Sequence, residues 1–105
     1  MKIAVMGTGG VGGFFGGLLA KNNDSVTFIA RGEHLQAIRN NGLTVESKNN
    51  GVFTVNADAT DDTAILPPQD LILFTVKMYH NDEAINAIKP MVGTDTVILT
   101  LQNGV

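Results

Sequence analysis

The sequence contains no cysteine. Disulfides, zinc–thiolate centres and cysteine nucleophiles are therefore excluded. It also lacks any apolar run approaching the roughly 20 residues that a membrane-spanning helix needs, so no membrane partner is expected. Positive charge is scarce: 7 Lys and Arg against 10 Asp and Glu give a formal net charge of −3. A general nucleic-acid binder needs a basic face, which this balance disfavours. No apolar h-region with a small-residue cleavage site follows the single N-terminal lysine, so no secretory signal is read and a cytoplasmic location is expected. The acidic residues Asp58, Asp61 and Asp62 lack ligand spacing, so they are read as a solvated loop and no metal site is expected. Internal repeats and low-complexity tracts are absent as well.

What is present is enough for one domain over residues 1–105, with 44% hydrophobic and 16% charged residues. Its most informative stretch comes first. Lys2-Ile3-Ala4-Val5-Met6 is a short apolar run without alternation, the mark of a strand buried on both faces. It leads directly into Gly7-Thr8-Gly9-Gly10-Val11-Gly12, a Gly-x-Gly-x-x-Gly turn. A helical pattern follows over residues 10–22, with Val11, Phe14, Phe15, Leu18 and Leu19 as its apolar stripe. Strand, glycine turn and helix in that order are what a dinucleotide diphosphate requires. Gly7 allows the tight exit from the strand, Gly9 lets the backbone approach a phosphate, and Gly12 lets the helix pack closely. The helix N-terminus then offers free N–H groups and a partial positive charge. Glycines at 12, 13, 16 and 17 cost this helix about 1 kcal/mol each relative to alanine. Such a cost points to close packing, and Gly12 and Gly16, four apart, share the face that would meet the sheet.

Strand and helix patterns then alternate. Residues 25–30 read as a second strand, and Glu33 to Arg39 as a helix ended by Asn40-Asn41-Gly42. Residues 43–47 and 52–55, joined by Lys48-Asn49-Asn50-Gly51, read as a hairpin inserted into the alternating plan. Residues 56–69 are polar with two prolines and read mostly as loop, with a short helical turn over 61–65. Residues 70–76 form a strong buried-strand signal, residues 80–89 a helix stopped by Pro90, and residues 96–101 a last strand. The expectation is an α/β, Rossmann-like, doubly wound fold: a mainly parallel sheet with an inserted β-hairpin. The chain finishes on a strand-like run and an unused turn, Leu101-Gln102-Asn103-Gly104-Val105, which predicts that it is part of a longer protein.

Three further residues carry chemistry. An NAD site would place Asp or Glu at the end of the second strand, to bind the ribose 2′-hydroxyl. This chain has Ala30-Arg31 there. A guanidinium suits a 2′-phosphate, which it can hold with paired hydrogen bonds, and so favours NADP. Lys77 lies just past the carboxyl end of the 70–76 strand, the edge where ligands of open α/β sheets sit. It either approaches the nicotinamide-side ribose or the substrate, or is a solvent lysine opening the next helix. Asn103 has the equivalent place after the last strand; Asn103-Gly104 is a turn, and the asparagine can also bond a ribose or a carbonyl. His34 and His80 are read as surface residues, and Phe14 and Phe15 as core.

Together these residues resemble the N-terminal domain of the ketopantoate reductases (2-dehydropantoate 2-reductases). The marks are Met1-Lys2-Ile3-Ala4-Val5 with the glycine turn, Ala30-Arg31, Val76-Lys77 and Leu101-Gln102-Asn103-Gly104. The resemblance covers essentially the whole chain. It implies an NADP-dependent oxidoreductase that reduces ketopantoate to pantoate on the route to pantothenate and coenzyme A. It implies that Gly7, Gly9 and Gly12 line the diphosphate, with Thr8, Gly10 and Val11 completing the turn. Arg31 would then hold the 2′-phosphate, Lys77 and Asn103 contact the cofactor, and Asn103 contact substrate. The family's catalytic lysine and an acidic substrate-holding residue come from a second, helical domain, and no position here corresponds to either. On this reading the 105 residues can bind NADPH but do not turn over ketopantoate; the expected partners are a small-molecule 2-keto acid substrate and the missing helical domain. A surface for docking the second domain is expected, and self-association through it stays open. Two alternatives remain: a non-catalytic nucleotide-sensing module, or a reductase of another 2-keto acid sharing this half.

Overall fold

The computed structural model describes residues 1–6, 10–22, 25–47, 51–56, 58–75 and 81–101. The elements in chain order are β1 (Lys2–Met6), α1 (Gly10–Lys21), β2 (Ser25–Ile29), α2 (Gly32–Asn41), β3 (Leu43–Ser47), β4 (Gly51–Val55), β5 (Asp58–Thr60), β6 (Gln69–Thr75), α3 (Asn81–Ile88) and β7 (Val92–Leu101). Short 3₁₀ turns cover Thr63–Ile65 and Lys89–Met91. Five strands form one sheet in the order β5-β2-β1-β6-β7, and β3 and β4 form a separate antiparallel pair. Every pairing in the larger sheet is parallel.

Alternate residues of the central strands feed opposite faces. Ile3 and Val5 of β1, Val26 and Phe28 of β2 and Leu73 of β6 join one buried cluster, with Leu35 and Ile38 of α2. Leu19 and Ala20 of α1 pack against it. Ala4, Met6, Ile29, Ile72 and Met91 form a second cluster, with Ala87 and Ile88 of α3 packed against it. Both faces of the sheet are thus covered, which is why β1 reads as continuously apolar. Burying an Ile or Phe side chain in such clusters stabilises the fold by about 1.5–3 kcal/mol. The sheet is doubly wound: α1 and α2 lie on one face and α3 on the other.

The hairpin packs on the α1 side. Leu43, Val45 and Val55 are buried in the first cluster, while Thr44 and Thr54 face outward with their hydroxyl oxygens 3.0 Å apart. Gly42 connects α2 to it with φ +78, and its N–H donates to the Ile38 carbonyl at 2.9 Å. A Cβ there would stand 2.6 Å from the Val55 carbonyl oxygen, so glycine is needed for both conformation and space.

Two expectations are corrected. Residues 58–60, expected as loop, form β5, the third parallel strand, with Thr27 to Ile29 opposite Asp58 to Thr60. Three residues are too few to show a period, and pairing with β2 defines the strand. The Ala30 N–H extends this ladder to the Thr60 carbonyl. The last strand begins at Val92 rather than 96. Gln69 pairs with Val92 but Leu71 pairs with Val97, so residues 93–96 bulge out of register. Regular pairing resumes where the sequence predicted a strand. The short turn expected over 61–65 is the 3₁₀ turn Thr63–Ile65, capped by Asp62, whose Oδ1 accepts from the Ala64 N–H at 3.0 Å. On β7, Val97, Ile98 and Leu99 are 59%, 47% and 49% exposed, so both faces of this outer strand are open to solvent.

Candidate nucleotide-binding site

The carboxyl ends of the central strands lie level. Met6 of β1 is opposite Ile29 of β2 and Phe74 of β6, and Phe74 is opposite Thr100 of β7. From β1 the chain crosses by α1 to β2 on one side. From β6 it crosses by α3 to β7 on the other. The winding therefore reverses between β1 and β6, and in open α/β sheets the crevice at that reversal takes the ligand.

Helix α1 opens at this edge. It starts at Gly10, so Gly10, Val11 and Gly12 supply its first turn. That turn carries no acidic side chain. The N–H groups of a helix's first turn have no partner within the helix, and such a turn without an acidic side chain fits an anion. Gly7, Thr8 and Gly9 lie outside the described residues.

Depth is set further along α1. A Cβ on Gly16 would meet Cε1 of Phe28 at 2.6 Å and Cγ2 of Val5 at 2.9 Å. The expected close contact of the helix with the sheet is therefore present at Gly16. Gly17 has a contact the sequence reading missed: a Cβ there would meet Cγ2 of Val45 at 2.5 Å and Cε2 of Phe53 at 3.7 Å. The doubled Gly16-Gly17 was its only sequence signal, and its meaning depends on where the hairpin lands.

Arg31 follows β2 by two residues and occupies the N-cap position of α2 with extended backbone. Its side chain is exposed, and its carbonyl accepts from the Leu35 N–H at 3.3 Å. No carboxylate belongs to β2 or to the two residues after it, and the next one along, Glu33, is already inside α2. The donor chemistry here fits a phosphate better than a ribose hydroxyl pair. Strands β6 and β7 end with Thr75 opposite Leu101. Lys77 and Asn103 follow these strands in the chain and, like His80, lie outside the described residues.

A separate open cleft of about 400 Å³ is lined by Thr27, Arg39, Asp58, Ala59, Thr60, Ile65 and Leu66. It flanks β5, where the Arg39 guanidinium donates from Nε to the Ala59 carbonyl at 3.1 Å. Among the described residues, none of its lining comes from β1, β6 or α1. Among the described residues, no His, Asp and Glu side chains group so as to hold a metal ion, and no helix is long and apolar enough to cross a membrane.

The sequence profile of the family described as ketopantoate reductase PanE/ApbA matches residues 3–105. The chain belongs to this family. A 2-dehydropantoate 2-reductase of Pyrococcus horikoshii is 43% identical over 105 residues, covering 100% of this chain and 34% of the relative. The crystal structure of 2-dehydropantoate 2-reductase from Porphyromonas gingivalis W83 superposes with a TM-score of 0.85 at 42% identity, covering 99% of this chain and 39% of that one. A D-mandelate dehydrogenase solved in a ternary structure with NADH and anilino(oxo)acetate superposes with a TM-score of 0.81 at 28% identity, covering 100% and 34%. The chain thus spans about a third of the length of the curated relatives it matches.

Proposed function

We propose that residues 1–105 form the NADPH-binding domain of an enzyme that reduces 2-dehydropantoate to pantoate in the cytoplasm. Membership of the ketopantoate reductase family supports the reaction class. Arg31 is the observation that carries the cofactor choice: it follows β2, where an NAD-binding domain has a carboxylate. Bound NADPH supplies a hydride from nicotinamide C4 to the keto carbon of the substrate. The chain's own residues bind and orient. The first turn of α1, with Gly7, Thr8, Gly9, Gly10, Val11 and Gly12, holds the diphosphate, and Arg31 pairs with the 2′-phosphate. Lys77 and Asn103 fix the nicotinamide end, and Asn103 also reaches the substrate. The group that stabilises the developing alkoxide comes from outside these 105 residues, in keeping with relatives about three times as long.

Parallel calorimetric titration of the chain with NADPH and NADH tests this reading. The expected result is clearly tighter binding of NADPH, and equal or tighter binding of NADH overturns it. A second reading is favoured by one comparison. The D-mandelate dehydrogenase that shares this fold was solved with NADH and anilino(oxo)acetate, which favours a reductase of another 2-keto acid as that second reading. Assay of a full-length protein carrying this domain, with ketopantoate and an aromatic 2-keto acid side by side, separates the two.

A further inference from the structure

The hairpin β3–β4 contributes nothing to the larger sheet. It does grip the helix whose first turn faces the crevice. Val45 and Phe53 are direct cross-strand partners. In an antiparallel pair such partners point to the same face, and here that face is turned to α1. Val45 fills the space a Gly17 side chain would need, with 2.5 Å left between Cγ2 and an ideal Cβ. One turn further along α1, Lys21 Nζ lies 4.7 Å from the centre of the Phe53 ring. A cation over an aromatic face at that range is attractive. On its sheet side, the same helix rests through Gly16 on Phe28 and Val5.

Helix α1 is therefore held between two surfaces through adjacent glycines, and it can settle on each only because both side chains are absent. Gly17 lies seven residues from Gly10, about 10 Å along the axis at 1.5 Å per residue. A rigid helix carries a displacement at Gly17 to its N-terminus, where the N–H groups lose their aim. We propose that Val45 and Phe53 are positioning residues for the cofactor: through Gly17 and Lys21 they set where the N-terminus of α1 meets the diphosphate. This rests on the reading of the glycine turn as the diphosphate site.

The test uses Gly17→Ala, and Gly17→Ala combined with Val45→Ala, which clears the space the new methyl takes. Two probes are titrated: NADPH, and adenosine 2′-monophosphate, which carries the phosphate assigned to Arg31 and has no diphosphate. Circular dichroism and thermal melting establish that each variant is folded. Gly17→Ala should weaken NADPH about tenfold, the scale of a lost helix-terminus interaction, and leave adenosine 2′-monophosphate within about twofold. The added Val45→Ala should restore most of the NADPH affinity. Unchanged NADPH binding by folded Gly17→Ala overturns the proposal. So does parallel weakening of both probes, or a double variant that fails to recover. If Gly17→Ala does not fold, Phe53→Ala and Phe53→Tyr decide: the alanine should weaken NADPH selectively and the tyrosine should not, and wild-type affinity in Phe53→Ala overturns the proposal. Wild-type protein that fails to bind NADPH at all overturns the functional reading itself, and is seen before any variant is compared.

Discussion

A methyl group on Gly16 would stand 2.6 Å from Cε1 of Phe28, a ring that is completely buried. Two effects oppose each other in Gly16→Ala. Helix propensity favours alanine by about 1 kcal/mol. Overpacking a closed core costs about 1–3 kcal/mol. Moving the ring alone would not clear the methyl, because Cγ2 of Val5 would stand 2.9 Å from it as well. The packing term should win, and urea unfolding should find Gly16→Ala less stable by up to about 2 kcal/mol. A stabilised variant would mean that α1 sits further from the sheet than this geometry allows.

Thr96 joins the bulge at the start of β7 to β6. Its hydroxyl oxygen accepts from the Gly93 N–H at 2.7 Å and donates to the Gln69 carbonyl at 2.6 Å. Thr96→Val keeps the shape and removes both bonds, leaving a part-buried N–H and a carbonyl unsatisfied. The cost should be about 1–3 kcal/mol. Because Leu71 to Thr75 pair with Val97 to Leu101 independently of the bulge, the loss should be local. Amide exchange should speed up at Gly93 and stay slow at Leu99.

The two predictions draw on features of different legibility. The core of the sheet could be read directly, because β1 and β6 are apolar on both faces and the helices between them keep a 3.6-residue period. The hairpin was also legible, from Asn49-Asn50-Gly51 between two β-rich runs. Strand β5 was not, since Asp58-Ala59-Thr60 is polar and owes its conformation to the edge of β2. The bulge at residues 93–96 was hidden for a similar reason: it is specified by a tertiary bond from Thr96 to Gln69, 27 residues away. At the site, the glycine turn and Arg31 announce themselves through residue type at a fixed offset from a strand. The clamp on Gly17 does not, because a glycine in a helix says only that something approaches closely, not what.

Arg31→Ala should separate the two nicotinamide cofactors. A guanidinium and a phosphate form charge-assisted, paired hydrogen bonds. At an exposed site these contribute on the order of 1.5–3 kcal/mol. NADPH affinity should therefore fall by roughly ten- to a hundredfold, while NADH, which lacks the 2′-phosphate, should change by less than about threefold. Calorimetry with both cofactors measures the difference. Equal losses would remove Arg31 from the 2′-phosphate.

Gly9→Val probes the diphosphate directly. In the Gly-x-Gly-x-x-Gly order, the second glycine is the position where backbone and pyrophosphate come closest. A branched side chain there occupies the volume of the phosphate oxygens, so NADPH and NADH should be lost together. This differs from the Arg31→Ala pattern, in which one cofactor is spared. A turn that faces the ligand carries no core side chain, so the fold should not depend on the new one. Far-ultraviolet circular dichroism and the melting transition should then stay close to wild type while calorimetric heats vanish for both cofactors. Tight binding retained by a folded Gly9→Val protein would place the diphosphate elsewhere than the first turn of α1.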